Sequence, residues 1–215
     1  MKHQTLTVQI KNLSPLILST GETDSTYIDS QMAFDENGFP YISARRFKGL
    51  LRESAVEVIN MITESDMTVN IATVDEVFGN SWQESPCKFY DLTIPDYEDN
   101  LKHARWLFQK SEGKINRNII IDAISGIRQQ TAIEEGVSKD NSLRTIRVLN
   151  PGHTFIGTIE IQPGPLTTKI ETLLVLSIKN LKYAGLNRTR GFGEIECTVD
   201  QAADAKAIKA LKGED

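Results

Sequence analysis

Apolar and polar residues alternate with period two in several stretches of this chain and recur with helical spacing in two others. Thr5-Leu6-Thr7-Val8-Gln9-Ile10-Lys11 predicts a half-buried strand, and residues 88–94 and 194–199 repeat the pattern. After Ser43, a helix N-cap residue type, Phe47, Leu50, Leu51, Ala55, Val58, Ile59 and Ile62 fall on one helical face. Ile170, Leu173, Leu174, Ile178 and Leu181 mark a second helix over about residues 166–184. Strands at 143–149 and 154–161 flank the turn Asn150-Pro151-Gly152-His153, and a short helix is expected over 202–211.

The remaining stretches read as excursions. Residues 12–30 form a loop rich in Ser, Thr and Asp, residues 35–40 a turn between short strands, and residues 64–85 a partly helical connection. Residues 95–117 are polar and poorly periodic apart from Trp106-Leu107-Phe108, which predicts a variable loop. From about 118 to 145 a β-branched run precedes a tract with no core face. It carries Arg128, Gln129, Gln130, Lys139, Asn141 and Arg144 around Gly126 and Gly136, which suits an exposed hairpin or protruding arm. With no internal repeat and no low-complexity linker, residues 1–215 read as one domain. Two amphipathic helices interleaved with alternating strands imply an α+β fold, an antiparallel sheet of ferredoxin-like or RRM-like layout.

Composition narrows the chemistry. The chain is 40% hydrophobic and 25% charged, as in ordinary globular proteins. No apolar run reaches a membrane span and the N-terminus lacks a signal-peptide core, so a cytoplasmic protein is expected. Cys87 and Cys197 read as buried thiols, and the three histidines have no metal-ligand spacing. A net charge of −5 argues against bulk attraction to nucleic acid, so any such role requires locally gathered cations.

Two places gather them. Arg45, Arg46, Lys48 and Arg52 crowd the start of the first helix, where the dipole disfavours positive charge, as if an anion offset the cost. Gly185-Leu186-Asn187-Arg188-Thr189-Arg190-Gly191-Phe192-Gly193 adds two more arginines. This loop runs from helix to strand, the reverse of phosphate loops that point a helix N-terminus at the anion, so a mononucleotide site is disfavoured. A nucleic-acid backbone lying over a glycine surface fits better. From the loop alone, a helix cap ending on Gly185 with two solvated arginines is the simpler account.

Three segments, in order, resemble one family. Phe39-Pro40-Tyr41-Ile42-Ser43-Ala44-Arg45-Arg46-Phe47-Lys48-Gly49-Leu50-Leu51-Arg52 resembles its "PYIPGSSLKGxLR" segment, Val77-Phe78-Gly79-Asn80-Ser81 its "LFG" element, and residues 185–193 its glycine-rich loop. The family is the RAMP superfamily of CRISPR effector subunits, and the likeness is to the backbone subunit of type III complexes. The resemblance implies an RRM-like protein that polymerises along a CRISPR RNA beside other type III subunits, with a β-hairpin thumb. It assigns Arg45, Arg46, Lys48, Gly49, Arg52, Gly185, Arg188, Arg190, Gly191 and Gly193 to contact with the RNA. Tyr27-Ile28-Asp29-Ser30 resembles the family segment whose aspartate is needed for metal-dependent cleavage of target RNA, which makes Asp29 the expected catalytic residue and Mg²⁺ ligand. Two features depart from the pattern: Ser43-Ala44-Arg45 replaces Pro-Gly-Ser, and Ile17 falls where some members carry histidine.

Elementary chemistry is compatible with that assignment. Six cations within a Debye length of a phosphate chain act locally despite net negative charge elsewhere. A kinked RNA step brings a 2′-hydroxyl in line with its own phosphate, where a carboxylate can accept the proton or help hold Mg²⁺. Judged without the family, Asp29 reads as an Asx-turn residue, Glu22, Asp24 and Asp35 as solvated acids, and Trp82, Trp106 and Phe192 as core side chains.

Overall fold

The computed structural model describes residues 4–19, 28–65, 69–131 and 142–212, with the backbone alone at 133–134 and 137–138. Its centre is a four-stranded sheet of β1 (Gln4–Asn12), β3 (Cys87–Phe89), β8 (Thr154–Ile161) and β9 (Ile195–Val199). The spatial order is β3-β8-β1-β9, antiparallel throughout. Two helices, α1 (Ala44–Glu64) and α5 (Thr167–Asn180), complete a βαββαβ path with the ferredoxin-like order.

Period-two burial fixes the sheet's inner face: Leu6, Val8, Ile10, Phe155, Ile159, Ile161 and Ile195 all point under the helices. From α1 come Phe47, Leu50, Leu51, Ala55 and Val58, and from α5 Ile170, Leu173, Leu174 and Ile178, which together make one core cluster. The helices touch directly where the Ser54 hydroxyl donates to the Ser177 carbonyl at 2.8 Å. The opposite face of the sheet carries polar residues, among them Gln9, Lys11, Glu196 and Thr198. α6 (Gln201–Lys212) packs Ala203 and Ala207 on α5 and is tied to it by Lys179–Asp204 and Lys206–Glu171 pairs at 2.8 and 3.5 Å. Cys87 is buried and Cys197 half-buried, and burial pushes both thiols up to about 12.

A long insertion between β3 and β8 departs from expectation. Residues 95–117 are no loop: α3 (Tyr97–Lys110) occupies most of the stretch. Only Ala104 of α3 is buried, so the helix leaves no apolar stripe in the sequence. The β-branched run 118–122 is likewise helical, within α4 (Arg117–Ile124), because the Asn116 side chain caps it by accepting from Asn118 and Ile119 N–H. The arm itself holds. β4 (Ser125–Gln130) pairs antiparallel with β7 (Arg144–Leu149), and β5 (Ile133–Glu134) with β6 (Val137–Ser138). Gly136, Lys139 and Asn141 of that tract lie outside the described residues.

β7 and β8 are consecutive yet belong to different sheets. β7 joins β4 on one side and β2 (Ser30–Gln31), in parallel, on the other. The corner between the sheets is fixed by the fully buried Asn12, which donates to the Ser14 and Asn150 carbonyls and accepts from His153 N–H at 2.8 Å. Asp35, expected in solvent, is half-buried: its carboxylate accepts from Asn37 and Phe39 N–H and from the Tyr97 hydroxyl at 2.6 Å. Glu22 and Asp24 lie outside the described residues.

Candidate nucleic-acid interface

Ser43 stands at the N-cap of α1 but its side chain caps nothing; the Asp91 carboxylate, from the segment after β3, accepts from Ala44 N–H at 2.7 Å instead. The helix start is thus held to the sheet by an acid at its positive end. Residues 45, 49 and 53, four apart, line one exposed stripe of α1.

That stripe faces the glycine loop across a cleft of about 640 Å³ whose walls include Arg45, Arg46, Gly49, Glu53, Gly185 and Arg188. Segments some 140 residues apart in sequence therefore share one basic cleft. Arg46 Nε donates to the Ser19 carbonyl at 2.9 Å, which anchors the guanidinium at the cleft edge. Arg188 stands in a short 3₁₀ turn (Arg188–Arg190) entered through Asn187 at φ 60° and left through Gly191 at φ 78°.

The expected set of six cations does not converge. Lys48 lies over the Phe89 ring at 5.8 Å, and Arg52 reaches Asp75 of α2 (Val74–Phe78) at 3.5 Å. Both leave α1 on its other flank, and neither lines the cleft; Arg190, exposed at the end of the 3₁₀ turn, does not line it either. Arg45, Arg46 and Arg188 are the cations the fold brings together there.

The four glycines also divide. A Cβ on Gly185 would drive into the Ile17 carbonyl and one on Gly193 into the Ala184 carbonyl, so these two are held by close backbone approach. A Cβ on Gly49 or Gly191 would meet nothing within 4 Å. Gly185 also lies beyond the end of α5 rather than capping it, since the helix stops at Asn180.

A second cleft, of about 430 Å³, adjoins the first through Leu186, which lines both. Its walls include Asp29, Gln130, Arg144 and Asn187. Asp29 is no local turn residue: its N–H donates to the Thr145 carbonyl at 2.8 Å and its Oδ2 accepts from Thr145 N–H at 2.7 Å, 116 residues away. The carboxylate is thereby fixed at the foot of the arm. Asn187 Nδ2 donates to Gln130 Oε1 at 3.4 Å, which links the glycine loop to the arm.

As a metal site this is sparse. Among the described residues no group of three or more His, Cys, Asp or Glu could hold an ion. The donors suit Mg²⁺ only in the mode that uses one carboxylate and takes its remaining ligands from water and phosphate. Neither indole is buried: Trp82 is 96% exposed and Trp106 56%. Trp82 stands on a tight loop where the Asn80 side chain accepts from Trp82 and Gln83 N–H. Phe192 is half-buried against Ile17, Ile146 and Val148. Asp91, Glu53 and Asn187 were not expected here; the left-handed φ of Asn187 is the one feature that an Asn within a glycine-rich loop signals.

The model of the RAMP superfamily matches residues 9–196. A search of curated proteins found no match. Among solved structures, a chain of "Type III-B Cmr-beta Cryo-EM structure of the Apo state" is similar at 14% identity and TM-score 0.65, over 93% of this chain and 98% of that one. A chain of "Cryo-EM structure of the Type III-B Cmr-beta bound to cognate target RNA" is similar at 16% identity and TM-score 0.60, over 93% of this chain; the match spans 60% of that chain's length. At such identities the likeness to these structures is one of fold. Among the described residues, no helix is long and apolar enough to cross a membrane.

Proposed function

Because this chain belongs to the RAMP superfamily, we propose that it is a backbone subunit of a type III CRISPR effector complex that holds a CRISPR RNA and cleaves the target RNA paired to it. One observation carries the reading: Arg45 and Arg46 of α1 and Arg188 of the glycine loop wall a single cleft in an otherwise acidic protein. The partners are the CRISPR RNA, the target RNA, further copies of this chain along the guide, and other type III subunits.

The guide's sugar–phosphate chain lies over the bare backbone at Gly49, between Arg45 and Arg46 on one side and Arg188 on the other. Arginines suit phosphate because the guanidinium offers paired donors. Contacts of this kind read shape and charge rather than sequence, as a subunit serving variable guides requires. Base identity is left to pairing between guide and target.

Cleavage takes place next to Leu186, in the cleft of Asp29. Thr145 N–H holds Oδ2 of Asp29 still, so that Oδ1 faces the RNA and accepts the proton of a 2′-hydroxyl as it attacks the neighbouring phosphorus. Mg²⁺, when bound by Asp29 and RNA phosphate, supplies charge stabilisation at the same place.

A second reading is favoured by the absence of a three-carboxylate or histidine group among the described residues: a scaffold of the same complex that binds guide RNA without cutting. The test uses the complex reconstituted on a guide RNA. Replacing Arg45, Arg46 and Arg188 together by Ala should weaken guide binding and lower the slope of log K against log salt by about two, near 0.7 per lost single-strand contact. Asp29→Ala should abolish target cleavage with guide binding intact. Unchanged cleavage in that variant would favour the scaffold.

A further inference from the structure

Arg144 is the one cation among the described residues lining the Asp29 cleft. It opens β7, opposite Gln130 in the ladder with β4, and directly precedes Thr145, whose backbone N–H and carbonyl both bond Asp29. A carboxylate and a guanidinium therefore stand at the foot of the arm, joined through one residue of strand. The amides of Gln130 and Asn187, bonded to each other, close the cleft beside them. Arg45, Arg46 and Arg188 lie beyond Leu186 in the other cleft, so Arg144 is separate from the guide-holding set.

A carboxylate can take a proton from a 2′-hydroxyl but repels the charge that then builds on the phosphate. Something positive must face the non-bridging oxygens, and Arg144 is the cation that lines the cleft beside Asp29. We propose that Arg144 is a catalytic residue of the cleavage reaction, donating two N–H groups to a non-bridging oxygen of the scissile phosphate. The assignment rests on reading the chain as a target-cleaving subunit. In the step, the O2′–P bond forms and the P–O5′ bond breaks. The 2′-hydroxyl proton passes to Asp29, and the departing 5′-oxygen takes a proton from water, leaving a 2′,3′-cyclic phosphate and a 5′-hydroxyl.

The experiment is single-turnover cleavage by the complete complex on its guide, with Asp29→Ala as control. Arg144→Ala should slow cleavage by about a hundredfold, the scale of losing one preorganised donor, while guide and target binding hold. Arg144→Lys should recover part of the rate. Sulfur in place of one non-bridging oxygen at the scissile phosphate should slow the wild type and leave Arg144→Ala no slower than before; a merely structural residue would leave the sulfur effect intact. If Arg144→Ala cuts at the wild-type rate while Asp29→Ala does not, the assignment is overturned and the cleavage reading stands. If Arg144→Ala loses guide binding in step with cleavage, Arg144 is a guide contact and the assignment is again overturned. If Asp29→Ala cuts normally, the cleavage reading falls and Arg144's role falls with it.

Discussion

Glu53 of α1 and Arg188 of the glycine loop meet across the basic cleft, Oε2 3.7 Å from Nη2. Both side chains are about half exposed, 66% and 48%, so water screens the pair and it adds little to stability. Its consequence is for ligands. In the free protein an acid occupies the position where a phosphate would meet Arg188.

Glu53→Gln removes that competitor and a repelling charge without altering side-chain size. Guide RNA affinity should rise, and the slope of log K against log salt should steepen by up to about one, as Arg188 becomes a full phosphate contact. Anisotropy titrations at several salt concentrations measure both. A fall in affinity would mean that Glu53 positions Arg188 for RNA rather than opposing it.

The glycines give a prediction of opposite signs. Gly49 lies within α1 with open space where its Cβ would be, so Gly49→Ala should stabilise the fold by about 0.5–1 kcal/mol, the usual glycine cost in a helix. The same methyl would stand on the floor of the cleft and weaken RNA binding. Gly185→Ala should instead destabilise, since φ is +83° and the new Cβ meets the Ile17 carbonyl. Thermal melts and RNA titrations on both variants separate a glycine kept for a ligand from one kept for the chain. Gly49→Ala binding RNA as well as wild type would remove Gly49 from the interface.

This contrast also marks what the sequence could reveal. The core helices and strands were legible because their apolar periods are buried as written: Phe47, Leu51, Ala55 and Val58 on α1, and Leu6, Val8 and Ile10 on β1. Helix α3 was not, because a peripheral helix burying only Ala104 needs no stripe. At 118–122 β-branched propensity misled, since the Asn116 cap and burial of Ile121 outweigh it. The clustering of Arg45 and Arg46 with Arg188 was anticipated. The departure of Lys48 and Arg52 was not, because it depends on Phe89 and Asp75, which tertiary folding puts on that flank. The bonds between Asp29 and Thr145 span the chain and have no local signature.

Helix α3 is tied to the core through the Asp35–Tyr97 bond, which provides its test. The bond to Asp35, with burial and the carboxylate's charge adding, pushes the Tyr97 hydroxyl up to about 12. The unfolded chain ionises this tyrosine near its ordinary value of about 10. The bond's contribution is therefore complete below pH 10 and is lost as pH rises toward 12. In a spectrophotometric titration, Tyr97 should ionise late in the wild type and at lower pH in Asp35→Ala. The substitution also strands Asn37 and Phe39 N–H, so the fold should lose about 1–3 kcal/mol, the range for removing a charged acceptor. Tyr97→Phe keeps those two bonds and should cost less, yet it should expose α3 to proteolysis as readily as Asp35→Ala does. Equal resistance of α3 in wild type and Tyr97→Phe would show that the helix is held by something other than this hydroxyl.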